Sequence, residues 1–193
     1  MGKTRTAPMI MALALLLSGC GQGKRQDAGR MQEHYQTSPS IQATAEIEAD
    51  YGERIYRYTA AIEGSEREGS LTVLSPDNIA GTGTAWKDGQ TVLDYDGISL
   101  ETGALSPDGL SPADGIPVLL STLRSGTALE WGSVNWGEWK DCLYLLLENP
   151  SVPGGESTVA LWGDRDTGQL CHAELYWQEK RVLSFTFSEY VIQ

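Results

Sequence analysis

Histidine is the side chain that most often exchanges protons near neutral pH, and this 193-residue sequence contains two, His34 and His172. His172 shares a predicted strand face with Glu174 and Tyr176, which favours a solvated strand residue over a catalytic base. No Gly-x-Ser-x-Gly motif is present to offer a serine nucleophile. We therefore expect no catalytic residue, and a protein that is not an enzyme.

The acidic and glycine-rich segments do not match the spacing of metal or phosphate loops. A calcium loop that began at Asp164 would need glycine at its sixth position and glutamate at its twelfth, and these positions hold Gln169 and Leu175. Residues 81–84, Gly-Thr-Gly-Thr, lack the Gly-Lys-Ser/Thr of a phosphate-binding loop. The sequence predicts a hairpin turn over residues 164–168 and a strand at the other segment, with no metal and no cofactor.

Two cysteines, Cys142 and Cys171, lie on predicted strands. A disulfide between them requires neighbouring strands with Cα atoms about 5.5–6 Å apart. The sequence therefore leaves open either a disulfide or two buried free thiols. The 26 aspartates and glutamates could supply the carboxylate pair of a glycoside hydrolase, but no pair stands out among so many.

The beginning of the chain has the order of a secretory signal. Lys3 and Arg5 precede an apolar run over residues 8–17, and Leu-Ser-Gly leads to Cys20. The run is shorter than the roughly 20 apolar residues of a membrane-spanning helix. This pattern is typical of bacterial lipoproteins, in which the cysteine becomes the first mature residue and carries acyl chains such as palmitate. We expect a signal peptide over residues 1–19 and a lipidated Cys20 that anchors the protein at the extracytoplasmic face of the cell membrane.

Acidic residues outnumber basic ones by 26 to 14, which gives a formal net charge of −12. Because no cluster of lysine and arginine interrupts this negative charge, we expect no nucleic-acid partner. Residues 20–38 are mostly small and polar and predict a tether. Within it, residues 28–36 could form a short helix with Met31 and Tyr35 on one face. Residues 39–193 then form a single domain.

Alternation of apolar and polar residues predicts that this domain is mainly β. Residues 41–50 and 54–63 alternate with a period of two and predict a hairpin. Further strands are predicted over residues 70–74, 81–86, 90–95, 142–147, 157–162, 170–177 and 181–188. One short amphipathic helix is predicted by the spacing of Ile116, Leu119, Leu120 and Leu123. Short strands with tight turns indicate an antiparallel sheet.

Aromatic side chains are concentrated after the predicted helix. On or beside the later strands the sequence has Trp131, Trp136, Trp139, Tyr144, Trp162, Tyr176 and Trp177. Such rings can line an apolar pocket, or they can fill the core between sheet and helix, which is their commoner fate. A lipid cavity therefore remains open as a hypothesis.

The last strands resemble the closing hairpins of the LolA/LolB lipoprotein-carrier superfamily. The similarity rests on residues 160–168, with an Asp-x-x-Thr-Gly turn, and on residues 174–175 and 182–187. Two long strands, the segments 75–77 and 86–89, and a leucine-rich helix next to proline are similar too. Together they resemble the lipid-anchored LolA-like proteins of Gram-positive bacteria, including clostridial germination lipoproteins.

The resemblance implies a curved antiparallel half-barrel with one or two short helices on its concave face. It also implies an apolar cavity for acyl chains or other hydrophobic ligands, and it brings no catalytic residues. The candidate lining residues are Leu119, Leu120, Leu123, Trp162, Trp177, Phe185 and Phe187. Because the soluble carrier has no lipid anchor and several helices, Cys20 and a single clear helix are departures from its pattern.

Two functions are consistent with these features. The leading hypothesis is a membrane-anchored, non-enzymatic lipoprotein that binds an apolar ligand or a partner segment in the half-barrel cavity. The alternative is a protein interaction module with a filled core, which docks another envelope protein and supports spore germination or cell-envelope maintenance. An envelope hydrolase built on His172 is a third hypothesis, and it has the least support.

Overall fold

The computed structural model describes residues 22–37, 39–95, 98–102, 111–148 and 157–193. Its helices are α1 (Gln22–Glu33) and α2 (Pro112–Ser125). Its strands are β1 (Ile41–Asp50), β2 (Ile55–Gly64), β3 (Glu68–Ser75), β4 (Gly83–Lys87), β5 (Gln90–Tyr95), β6 (Ile98–Thr102), β7 (Thr127–Trp136), β8 (Trp139–Glu148), β9 (Ser157–Gly163), β10 (Leu170–Trp177) and β11 (Lys180–Ile192). In these ranges no helix has the length and apolar character needed to span a membrane. The expected signal peptide and Cys20 lie outside the described residues.

The strands form one open, curved antiparallel sheet in the order β6-β5-β4-β3-β2-β1-β11-β10-β9-β8-β7. Consecutive strands pair from β1 to β6 and again from β7 to β11. The two series join where β1 pairs with β11, from Ile41 opposite Ile192 to Ala49 opposite Leu183. Helix α2 connects β6 with β7, and these two strands are the edges of the sheet. The predicted fold class, mainly β with an antiparallel sheet and two short helices, is confirmed.

The two faces of the sheet differ in burial, and β1 shows why. Its side chains alternate between buried Ala43, Ala45 and Ile47 and more exposed Gln42 and Glu46. A period of two places the first set on one face, which we call the inner face, and the second set on the outer face. The inner face and both helices share one hydrophobic core.

Helix α2 is fixed at its start and rests closely on the inner face. The Ser111 hydroxyl accepts a hydrogen bond from the backbone N–H of Asp114 at 3.2 Å, and Pro112 opens the first turn. One turn later, a Cβ atom placed on Gly115 would lie 2.5 Å from Leu183 Cδ1 and 3.2 Å from Phe185 Cζ. The absence of a side chain at Gly115 therefore lets the helix backbone approach β11.

Helix α1 occupies much of the range in which we expected a tether. Its second half belongs to the core, because Ala28, Met31 and the following Tyr35 are 3%, 0% and 1% exposed. The Tyr35 hydroxyl donates to the carbonyl of Gly168 at 2.7 Å and lies 2.9 Å from the Tyr190 hydroxyl. The expectation that Met31 and Tyr35 share a packed face is confirmed, and the helix is longer than the predicted segment.

Two strands were not predicted, β6 and β7, and both are edge strands. Strand β7 carries no clear apolar alternation, since its burial runs from exposed to half-buried throughout. An edge strand has a pairing partner on one side only, so a weak pattern of burial is expected there. The β7–β8 hairpin turns through Gly137, whose φ of +54° is an unusual angle for other residues.

Candidate functional site

Five of the seven predicted cavity-lining residues lie deep in the core. Leu119, Leu123 and Phe185 are 0% exposed, Leu120 is 4% exposed and Phe187 is 5% exposed. A side chain with no accessible surface borders no void large enough for a water molecule. In this conformation the space between α2 and the sheet is therefore filled around Leu119, Leu123 and Phe185.

The two predicted tryptophans lie apart from one another. Trp177 is half-buried and packs against the core. Trp162 lies on the outer face, because its neighbour Leu161 points into the core and successive strand residues face opposite ways. The prediction that Trp162 lines a cavity together with α2 is therefore not met by this arrangement.

Trp162 belongs instead to a group that we call the outer-face aromatic cluster, made of Trp136, Tyr144, Trp162 and His172. The register aligns Tyr144, Trp162 and His172 across β8, β9 and β10. Trp136, from the end of β7, stacks on His172 with ring centroids 4.2 Å apart and lies 4.7 Å from Trp162. Each such ring pair contributes about 0.5–1.5 kcal/mol beyond burial, so the cluster holds the β7–β8 hairpin against the sheet.

His172 is buried rather than solvated, which corrects the sequence-based expectation. It is 4% exposed because Trp136 covers its ring. Its Nδ1 lies 3.0 Å from the Thr186 hydroxyl, whereas Nε2 is buried without a hydrogen-bond partner and lies 3.6 Å from Glu174 Oε1. The Trp136 ring therefore separates the imidazole from solvent.

A polar network continues from Glu174 across the outer face. Glu174 accepts hydrogen bonds from the Tyr176 hydroxyl at 2.7 Å and from Arg181 Nη1 at 2.9 Å. Arg181 also binds Glu48, which in turn binds Arg57, both at 2.8 Å. The neighbouring His172, the Tyr176 hydroxyl and the Arg181 guanidinium lower the pKa of Glu174 to about 2, against the opposing effect of burial. The network ties together four strands, β10, β11, β1 and β2.

The same carboxylate affects its tyrosine partner. Burial and the Glu174 carboxylate raise the pKa of Tyr176 to about 12. A tyrosine with this pKa keeps its proton near neutral pH and acts as a hydrogen-bond donor. The network therefore holds its charged groups in place across the outer face.

The two cysteines meet next to His172 of the aromatic cluster, where the pairing of β10 with β9 is irregular. Cys142 and Cys171 are free, buried thiols whose Sγ atoms are 4.0 Å apart. The Cys171 thiol donates to the carbonyl of Trp162 at 3.3 Å. Burial and the neighbouring Cys142 raise the pKa of Cys171 to about 12. Because the thiolate is the reactive form, this thiol is unreactive while it stays buried.

The Asp164 segment forms the predicted hairpin turn. Its carboxylate accepts the backbone N–H groups of Asp166 and Thr167 at 2.9 and 2.7 Å, and the Thr167 hydroxyl at 3.0 Å. These bonds, chiefly those from Thr167, lower the pKa of Asp164. The carboxylate is thus used within the turn, and the described part of the chain contains no group of His, Cys, Asp and Glu that could hold a metal ion.

Two depressions of 340 and 480 Å³ lie along the outer face of β1. The larger one has a mixed lining, in which charged and hydroxyl side chains such as Glu46, Glu48 and Arg57 lie beside Ile47, Tyr58 and Pro76. Charged and hydroxyl side chains of this kind suit water or a polar surface better than an acyl chain. These depressions therefore do not supply the apolar cavity that the resemblance implied.

The edge strand β7 and the turn that follows it expose apolar side chains. Leu129 is 50% exposed and Val134 is 37% exposed, and Trp139, just past the turn, is 44% exposed. The pairing of β7 with β8 has irregularities between Ala128 and Glu130 and between Val134 and Trp136. Regular pairing is thus confined to a short central stretch, and no other described strand pairs with the outer edge of β7.

Comparison with known proteins supports the fold. No family model and no curated protein matches the sequence. Among solved structures, a DUF1329 family protein from Desulfovibrio piger has a TM-score of 0.50 at 13% identity, over 88% of this chain and 92% of that chain. A LolA superfamily protein from Nitrosomonas europaea has a TM-score of 0.46 at 12% identity, over 88% and 93%. A structure described as an outer membrane lipoprotein-sorting protein domain from Vibrio parahaemolyticus has a TM-score of 0.49 at 10% identity, over 89% and 93%. At such identities the similarity concerns the fold alone.

Proposed function

We propose that this protein is a lipid-anchored, non-enzymatic binding protein of the bacterial envelope and that it binds another polypeptide at its surface. The observation that carries the proposal is the filled inner face, where Leu119, Leu123 and Phe185 have no accessible surface. An acyl chain would have to displace these side chains from the core, whereas a surface partner requires no such rearrangement. The lipid-cavity hypothesis from the sequence stays a prediction, and the experiment below tests it directly.

The anchor is supported by the order of basic residues, apolar run and small residues before Cys20. A net charge of −12 does not attract the chain to anionic lipids, so attachment would depend on buried acyl chains at about 0.8 kcal/mol per methylene. Metabolic labelling with palmitate in a bacterial host should mark the protein, and Cys20→Ala should abolish the label. Equal labelling of both proteins would contradict acylation at Cys20.

The choice of partner class is tested by titrating the full chain with a fluorescent fatty acid. We expect no saturable binding to the natural chain. Leu119→Ala should open a void in the core, so that a small apolar probe such as benzene raises the melting temperature of this variant only. Ile55→Ala, at a position that is 49% exposed, is the control and should behave like the natural chain. Saturable binding of one fatty acid by the natural chain would refute the proposal and establish the lipid hypothesis.

A further inference from the structure

The edge strand β7 has the properties of a site for strand addition, in which a partner segment extends the sheet. Its outer edge pairs with no other described strand, so the backbone N–H and C=O groups on that side have no partner strand among the described residues. Backbone pairing gives affinity in such complexes, and alternate side chains give specificity.

The side chains along this edge combine apolar and acidic character. The register pairs Glu130 with Leu146 and Val134 with Cys142, which places both on the outer face. Around them, Glu138 follows in the turn and Glu148 ends the neighbouring strand. In the described part of the chain, these three glutamates are exposed and enter no ion pair, whereas Asp141 is paired with Arg165.

We propose that β7 binds an extended segment of a partner polypeptide in which apolar residues alternate with lysine or arginine. This inference rests on the proposed function, because it assumes that the partner is a polypeptide. The unpaired Glu130, Glu138 and Glu148 complement the basic residues, which would lie on the outer face. The alternate apolar residues would lie on the inner face, beside the half-buried Trp131.

Two other occupants fit the edge less well. A second copy of this chain would bring another set of the same glutamates and a second net charge of −12 towards this edge. A membrane surface would suit Trp139 and Leu129, but the carboxylates beside them repel anionic lipids. Charge complementarity therefore favours a basic segment.

The test uses the full chain and a synthetic peptide of the length of β7 that alternates lysine with valine. Hydrogen exchange should show slower exchange of the β7 amides when this peptide is bound. A peptide that alternates glutamate with valine, and a lysine–valine peptide with a central proline, should each bind at least about tenfold more weakly. The first lacks the complementary charge, and the second interrupts backbone pairing.

Glu130→Lys should weaken binding about fivefold, since an exposed ion pair contributes up to about 1 kcal/mol. Glu53→Lys changes the net charge equally at an exposed position before β2 and should change the affinity less than twofold. Equal weakening by both variants would show general charge attraction and overturn the proposal. Slower amide exchange in other strands when the peptide is bound would also overturn it. Slower exchange of the β7 amides with phosphatidylglycerol vesicles, but not with the peptide, would do the same. These outcomes leave the fatty-acid titration unaffected, so the failure of the edge site is distinct from the failure of the proposed function.

Discussion

The close seating of α2 on the sheet makes Gly115→Ala a direct probe of the filled core. The new Cβ would lie 2.5 Å from Leu183 Cδ1, about 0.9 Å short of the 3.4 Å at which ordinary contact begins. Leu183 is 1% exposed and Phe185 is 0% exposed, so neither side chain can turn into solvent to make room. Overpacking of this kind costs about 1–3 kcal/mol.

The steric cost is separated from helix propensity by a matched variant. Gly29→Ala lies inside α1, where an added Cβ meets nothing within 4 Å, and it should stabilise the protein by up to about 1 kcal/mol. Both substitutions gain this propensity, so the difference between them isolates the contact and should be about 1–3 kcal/mol. Urea unfolding measures it. A Gly115→Ala protein as stable as the Gly29→Ala protein would show that α2 moves freely over the sheet, and the argument for a closed inner face would then fail.

Three further outcomes are expected. Tyr35→Phe should lower the free energy of unfolding by about 1–3 kcal/mol, because it leaves the buried Tyr190 hydroxyl without its partner, and thermal or urea unfolding would show this; no change would contradict the bond. The pKa of Glu174 is about 2 in the folded chain and 4.5 for a free group, so its ionised form stabilises the protein above pH 4.5 and this contribution is lost as the pH falls towards 2. The melting temperature of Glu174→Gln should therefore fall less over this pH interval than that of the natural chain. Identical changes of melting temperature with pH would refute the lowered pKa of Glu174. Cys142 and Cys171 should resist a thiol reagent in the native protein and react after unfolding in denaturant; rapid native labelling would contradict their burial.

The sequence predicts β1 well because its two faces meet different surroundings. Residues from Ile41 onward are buried and exposed in turn, as their alternation indicates. The helix α2 is predicted for a related reason, since Leu119 and Leu123 recur on the face that meets the sheet. Strand β7 is not predicted because its side chains do not alternate between a buried face and an exposed face. The polar composition of residues 22–27 likewise gives no sign of the helix that begins there.

The face of the sheet to which a given side chain points is harder to predict than the strand that carries it. Leu161 and Trp162 are neighbours, and both are apolar, so composition does not say which one points to the core. The register decides it, because Leu161 aligns with Leu145 and Ala173, both fully buried. His172 is misjudged for a similar reason. Its cover comes from Trp136, which is 36 positions away in the chain and reaches it only through the β7–β8 hairpin.

The start of α1 at Gln22 has a consequence for how far the domain could stand from a bilayer. Only Gly21 separates the helix from Cys20, and by Ala28 the chain is already part of the core. At 1.5 Å per residue, the helical stretch between them spans about 10 Å. If Cys20 is acylated, this short connection keeps the domain close to the lipid headgroups. Any protein that binds it must then do so within a few nanometres of the same leaflet.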